Sequence, residues 1–232
     1  MMREDRGDWT MQADFSERRA KMVDGQIRTV DVTSGPLLEA LLTVPRESFV
    51  GTAAPELAYI DEDLRIADGP HGPRYLMEPG PLARLIQLAN VKPQDHVLDV
   101  GAGTGYAAAI LSRLARSVVA LESDPALAVQ AEQTLGQQGV GNVSVVNGPL
   151  REGCPARAPY DAILLGGSVE EVPQALLDQL AEDGRLVAVE GHGNAGIVRL
   201  FLKTTGVATG RRAFNAAIKP LPGFERVRVF EF

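Results

Sequence analysis

Val97-Leu98-Asp99-Val100-Gly101-Ala102-Gly103-Thr104-Gly105-Tyr106 is a short apolar run that breaks into three alternate glycines. The run from His96 to Val100 reads as a buried parallel strand, because it is β-branched and bounded by a turn signal. Ala107 to Ala115 then reads as a helix. Between them, residues without side chains let the backbone turn tightly at a helix N-terminus, where free N–H groups favour negative charge. A second strand, Ser117 to Leu121, delivers Glu122 about twenty residues after Gly101, where an acid can accept both ribose hydroxyls of a nucleotide. The glycine spacing narrows the choice of nucleotide. A dinucleotide fingerprint is G-x-G-x-x-G, whereas Tyr106 stands here in place of its third glycine, which disfavours a dinucleotide-dependent oxidoreductase.

Outward from this stretch, strand and helix patterns alternate. After the second strand come Pro125–Gln138 (helix), Val143–Val146 (strand), Asp161–Leu165 (strand), Pro173–Ala181 (helix) and Arg185–Glu190 (strand). Alternation of this kind predicts an α/β fold, a mostly parallel sheet with helices on both faces and right-handed crossovers. Ile197 to Lys203 adds a strand, and Phe224 to Phe232 reads as a closing edge strand. The Rossmann-like domain spans residues 90–232, and residues 14–89 form an N-terminal helical lobe over its ligand face. In that lobe Asp14 to Arg28 reads as a helix capped by Asp14 or Ser16. A second helix follows Ser34, carries Leu37, Leu38, Leu41, Leu42 and Val44 inward, and ends at Pro45. A third runs from Pro81 to Ala89, and Asp68-Gly69-Pro70-His71-Gly72-Pro73 is a loop by composition. Residues 1–13 read as a disordered leader in which Met11 is an alternative start.

Composition excludes several classes. The chain of 232 residues is 45% hydrophobic and 23% charged, which fits an ordinary globular protein with one ample core. A net charge of −7 carries no basic footprint for nucleic acid. No apolar run approaches the roughly 18 residues of a membrane span, and the charged N-terminus lacks a signal peptide's apolar segment. One cysteine, Cys154, and three scattered histidines, His71, His96 and His192, form no disulfide and no metal-ligand pattern. These features point to the cytoplasm.

The compressed glycine loop preceded by Asp99 resembles that of class I methyltransferases that use S-adenosylmethionine. Over about residues 20–232 the chain is similar to the protein-L-isoaspartate O-methyltransferase family. Pro45-Arg46-Glu47-Ser48-Phe49-Val50 resembles the family's P-R-x-x-F-V, Ala58-Tyr59-Ile60-Asp61 its A-Y-x-D, and Asp99 to Tyr106 its D-V-G-x-G-x-G-Y. Glu122-Ser123-Asp124-Pro125 is similar to the segment after its second strand, and Ala158-Pro159-Tyr160-Asp161 to its A-P-[FY]-D. Glu171-Val172-Pro173, followed by Leu176, Leu177 and Leu180, resembles the helix before its G-[GR]-x-[LM]-V strand. The resemblance implies a Rossmann-like class I methyltransferase fold and S-adenosylmethionine as cofactor. It further implies methyl transfer to a carboxylate of damaged protein, the substrate being a protein or peptide that carries isoaspartyl residues.

For the cofactor, the resemblance and the loop reading together single out Asp99, Gly101, Ala102, Gly103, Gly105, Tyr106, Glu122, Ser123 and Gly148. Ser123 reads equally as the cap of the helix at Pro125. For the substrate they single out Tyr59, Met77, Glu78 and Pro79, with no catalytic residue identified. The blander readings are a Tyr59 ring packed in the lobe and a solvated Glu78 carboxylate. His71, in the loop at the expected mouth of the site, is a candidate base, Cys154 reads as structural and Arg211-Arg212 as a solvated pair. Two positions depart from the family. Tyr75-Leu76-Met77-Glu78-Pro79 matches its T-I-S-x-P, so Met77 stands where a serine orients the acceptor, and a thioether cannot donate a hydrogen bond. Gly148-Pro149-Leu150 replaces a G-D-G whose aspartate would read the adenine amino group. These departures support an alternative: a catalytically altered S-adenosylmethionine-binding homologue with another acceptor or a regulatory role.

Overall fold

The structure, a computed structural model, describes residues 6–69, 72–191 and 195–225, with residues 6–13 described as backbone only. Seven strands form one sheet in the order β5-β4-β3-β6-β7-β8-β9, with β3 at His96–Val100, β4 at Ser117–Glu122, β5 at Val143–Asn147 and β6 at Tyr160–Val169. The remaining strands are β7 at Leu180–Glu190, β8 at Ile197–Thr204 and β9 at Val207–Asn215. The first five strands of that order are parallel, and β8 and β9 are antiparallel to their neighbours. The chain therefore runs outward from β3 through β4 to β5, then returns to β6 on the other side of β3. That reversal leaves a crevice at the C-terminal ends of β3 and β6, where ligands of open α/β sheets bind.

Alternation along the strands sorts the core. Val97 and Val118 face one side with Ala162 and Val187, whereas Leu98 and Val119 face the other with Ile163 and Leu186. Asp99 shares the side of Val97, the face covered by the N-terminal helices α2 (Gly35–Thr43) and α3 (Pro79–Ala89) and by α4 (Tyr106–Ser112). Helix α5 spans Pro125–Gln137 and the one-turn α6 spans Gln174–Asp178.

Several expectations need correction. Helix α1 runs Arg6–Met22, so residues 6–13, assigned to a leader, are helical, and neither Asp14 nor Ser16 caps it. It ends earlier than Arg28 because the chain loosens into a π-turn at Val23–Ile27, around Gly25. The N-terminal lobe is not wholly helical: the segment read as a loop forms a hairpin of β1 (Leu64–Gly69) and β2 (Gly72–Leu76). Helix α3 starts at Pro79, two residues before the expected start, because proline suits a first helical turn. The cap of α5 is Asp124, whose Oδ1 accepts the Ala126 N–H at 2.8 Å, and not Ser123. Strand β9 has no counterpart in the sequence reading. It is an edge strand whose residues are mostly exposed, joined to β8 by Thr205-Gly206, both at positive φ as in a tight hairpin turn. Arg211 and Arg212 are exposed on it. The edge strand expected at Phe224 to Phe232 lies outside the described residues from 226 onward, as do His71 and His192.

Arg185 on β7 ties the lobe to the sheet. Its guanidinium pairs with Asp95 and donates to the carbonyls of Ala89 at 2.6 Å, Asn90 at 2.8 Å and Asp161 at 3.0 Å. It thus collects the C-terminal carbonyls of α3, the loop before β3 and the start of β6. Arg185→Met should lower stability by about 3–4 kcal/mol, the loss expected when a paired, mostly buried charge loses its partner. Urea unfolding should show a lower midpoint at unchanged slope. Arg185→Lys should recover less than half, since one ammonium cannot reach four acceptors. A loss under about 1 kcal/mol in Arg185→Met would mean that this junction is held by apolar packing instead.

Candidate functional site

The glycine loop follows β3 directly. Gly101, Gly103 and Gly105 have φ of 83°, 58° and 95°, the left-handed region that side chains disfavour. The Gly101 and Ala102 N–H groups donate to the Leu121 carbonyl at 2.8 and 3.0 Å, which pins the loop to the end of β4. A Cβ on Gly101 would lie 2.5 Å from Leu221 Cδ1, and one on Gly103 3.1 Å from Ile66 Cδ1. The room that glycine leaves is therefore shared with side chains from the β1–β2 hairpin and from the C-terminal segment. Gly105 opens helix α4, and the Tyr106 side chain beyond it is buried beside Phe49 and beneath the Arg46 guanidinium, 4.9 Å from the ring centre.

Glu122, at the last position of β4, is fully buried. Its Oε2 accepts the Gly103 N–H at 2.7 Å and its Oε1 accepts the Asp124 N–H at 2.9 Å. Arg74, from β2 and 5% exposed, supplies a two-pronged ion pair to the same carboxylate, with Nη2 to Oε2 at 2.8 Å and Nη1 to Oε1. Nη2 also reaches the Gly101 carbonyl at 3.2 Å. Ser123 contributes only a long Oγ contact to Oε1 at 3.4 Å. A carboxylate removed from water needs such partners, because an unpaired buried charge costs several kcal/mol.

Asp99 lacks them. It is fully buried, and neither carboxylate oxygen finds a hydrogen-bond partner of normal geometry among the described residues. Burial pushes its pKa up to about 7, and the neighbouring Glu122 charge pushes the same way, while Arg74 and the Ala108 amide only partly offset them. Asp99 borders a cleft of about 350 Å³, counting its open mouth, together with Gly101 to Thr104, Ala107 and Gly166. Its other walls are Ile66, Tyr75, Leu76, Met77 and Leu82. The enclosed space within it is only about 30 Å³, so the cleft is largely filled by its own walls in this structure.

The structure brings together Asp99, Gly101, Ala102, Gly103, Glu122 and Met77, with Ser123 beside Glu122. Gly148 lies one strand further out, its N–H on the Glu122 carbonyl at 3.0 Å. Neither Pro149 nor the buried Leu150 restores a carboxylate there. Gly105 and Tyr106 do not border the cleft, and three residues expected on the substrate side sit elsewhere. Tyr59 packs in the lobe, where its hydroxyl pairs with Glu47 and accepts from Arg19 Nε at 2.9 Å. Glu78 borders a separate groove with Gln26 and Arg84, its pKa raised by burial and by Asp61. Pro79 is buried as the first residue of α3. Cys154 is buried, with its N–H on Gln179 Oε1 at 2.8 Å, which accords with a structural residue.

Sequence reasoning missed Arg74, Ile66, Gly166 and Leu221, because the hairpin, strand β6 and a distant C-terminal segment supply them and no local pattern marks them. It quoted Arg46 only as part of a motif. Arg46 is fully buried and donates to the carbonyls of Ala58 and Met77, each at 2.7 Å, fixing the backbone behind the cleft wall.

Comparison with known proteins agrees with this geometry. A model of the protein-L-isoaspartate(D-aspartate) O-methyltransferase family matches residues 17–217. The protein-L-isoaspartate O-methyltransferase of Koribacter versatilis is 36% identical over 209 residues, which is 90% of this chain and 92% of that one. A solved protein-L-isoaspartate O-methyltransferase superposes with a TM-score of 0.78 at 27% identity, covering 88% of this chain and 66% of that longer one. A Plasmodium falciparum protein solved with S-adenosyl-L-homocysteine has a TM-score of 0.71 at 20% identity, over 89% of this chain and 97% of its own, a likeness of fold alone.

The Asp99 environment predicts a pH signature. A folded-state pKa near 7, above the roughly 3.9 of an unfolded aspartate, means that the folded chain holds the proton longer. Stability should therefore fall as pH rises from about 4 to 7 and level off above. Asp99→Asn should remove this slope and be the more stable protein at pH 8, by up to about 4 kcal/mol. Unfolding curves for the two proteins that run parallel across this range would contradict the assignment.

Proposed function

The chain belongs to the protein-L-isoaspartate(D-aspartate) O-methyltransferase family, and from that premise we propose how its own residues serve S-adenosylmethionine-dependent methylation of an isoaspartyl carboxylate. The observation that carries the proposal is the pairing of a side-chain-free loop with two buried acids at the ends of β3 and β4. The residues fit the cofactor. Glu122, already an acceptor of two fixed backbone N–H groups, is the acceptor for the ribose hydroxyls. Asp99, with both oxygens unpartnered among the described residues, is the counter-charge for the amino-acid end. The backbone of Gly101, Ala102, Gly103 and Thr104 lines the space between, with Gly105 turning the chain into α4 behind it, and Ser123 and Gly148 flank the base side. The cofactor supplies an activated methyl group, the difficult part of the chemistry.

The protein's share is then binding and alignment. An isoaspartyl carboxyl has a pKa near 4 and is already the nucleophile at neutral pH, so no general base is required. Asp99, Glu122 and the glycine loop would hold the cofactor so that its methyl carbon meets one carboxylate oxygen, the S–C bond breaking as the O–C bond forms and its electron pair leaving with sulfur. The cleft must hold the oxygen in line and strip its water without binding it too tightly. Met77 borders this cleft where the family has serine, so that hydroxyl is missing. Tyr75 borders the same cleft, 5.6 Å from its ring centre to the Lys219 ammonium, and its phenol is the replacement donor. No described helix is long and apolar enough to cross a membrane. A protein or peptide acceptor needs access from solvent to the cleft mouth, and the hairpin that carries Arg74, Tyr75 and Leu76 forms one rim of that mouth.

The test is labelled methyl transfer to an isoaspartyl peptide and to its aspartyl control. Wild type should methylate the first and not the second. Tyr75→Phe should lower kcat/KM about tenfold, and Met77→Ser should raise it by several-fold, each 1.36 kcal/mol of transition-state stabilisation being a factor of ten. A protein that binds S-adenosylhomocysteine yet leaves the isoaspartyl peptide unmethylated would assign the site to another acceptor.

A further inference from the structure

Arg74 and a ribose compete for one carboxylate. Glu122 offers about four lone-pair directions, and the structure fills them with the Gly103 and Asp124 N–H groups and two Arg74 nitrogens. The two backbone donors are fixed, one in the glycine loop and one at the first turn of α5. Arg74 is different. It reaches in from a two-stranded hairpin that is not part of the main sheet, on a long side chain with several rotatable bonds. We propose that Arg74 is a displaceable latch on the nucleoside site: its guanidinium holds Glu122 and the Gly101 carbonyl, and ribose hydroxyls bind by exchanging with it. The latch rests on the reading of Glu122 as ribose acceptor given above.

Energetics allow the exchange. A buried ion pair gains Coulomb energy but loses the hydration of both partners, so its net stabilisation against a neutral substitute is small. Releasing the guanidinium to the cleft mouth restores its hydration, and two hydroxyl donors leave the carboxylate satisfied. Both arrangements therefore keep Glu122 fully bonded, which is the condition for two states of similar free energy. The hairpin itself need not unfold, since Thr52 holds it from behind through two bonds to the Ile66 carbonyl, at 3.1 and 2.9 Å. A latch of this kind multiplies the apparent affinity by the fraction of molecules in which it is open, so an open fraction of about 10–20% weakens binding about five- to tenfold.

Calorimetry with S-adenosylhomocysteine tests this without methyl transfer. Arg74→Gln should bind about five- to tenfold more tightly than wild type, and Arg74→Lys, a one-pronged competitor, should fall between. Thermal unfolding of Arg74→Gln without ligand should come at a lower temperature, because Glu122 loses its counter-charge. Side-chain NMR of arginine in the wild-type protein guards against a variant that fails to fold: restricted Arg74 Nη rotation should be released on saturation with the ligand. Equal or weaker binding by a folded Arg74→Gln overturns the latch and leaves the cofactor site standing. Arg74 nitrogens that stay restricted at saturation overturn it as well. If neither protein binds S-adenosylhomocysteine, the reading of Glu122 falls and the latch falls with it.

Discussion

The buried carboxylate of Glu122 is the constraint around which the site is organised. It stands at the end of β4 with no exposure to solvent, so every lone pair must be met from within the protein. Meeting that demand fixes the glycine loop through Gly103, the start of α5 through Asp124 and the position of the hairpin through Arg74. The loop's left-handed turns follow. Only a chain bent back at Gly101 and Gly103 presents the Gly103 N–H to the carboxylate while its neighbours bond the Leu121 carbonyl. One side chain thus links three segments that are far apart in sequence.

Asp99 shows the opposite case. Two acids at the ends of adjacent strands share one arginine, and the geometry gives that arginine to Glu122. Asp99 is left in an apolar setting with a pKa raised to about 7, a site that favours a cationic group brought by a ligand. A charged, unsatisfied group in a core is a cost to stability, and such costs concentrate where a molecule binds. Burial of Arg46 beneath Met77 and against the Tyr106 ring gives the wall of the cleft its rigidity.

Much of this was legible in the sequence, for physical reasons. The strand from His96 to Val100 is reproduced residue for residue, because a β-branched run ended by glycines has few alternatives. Pro125 and Pro45 marked helix boundaries through the fixed φ of proline. Glu122 was found by its offset from the loop. What was not legible depends on pairing across the chain. The Leu64–Leu76 hairpin was hidden because Asp68 to Pro73 has the composition of a loop, and its strands gain regularity only by pairing with each other. Strand β9 was hidden because its exposed residues mix apolar and polar types without a period-two alternation. Arg74 gave no signal, since a lone arginine in a turn-rich segment is ordinarily solvated. Tyr59 and Glu78, marked by their positions in family-like segments, sit apart from the cleft, because a motif fixes chain position and not side-chain direction.

The most direct measurement of this account is a crystal structure of the full chain with S-adenosylhomocysteine bound. Ribose hydroxyls should lie within hydrogen-bond distance of both Glu122 oxygens, the ligand's ammonium beside Asp99, and the Arg74 guanidinium away from Glu122. A ligand bound elsewhere, with Arg74 still bridging Glu122 and the Gly101 carbonyl, would contradict it.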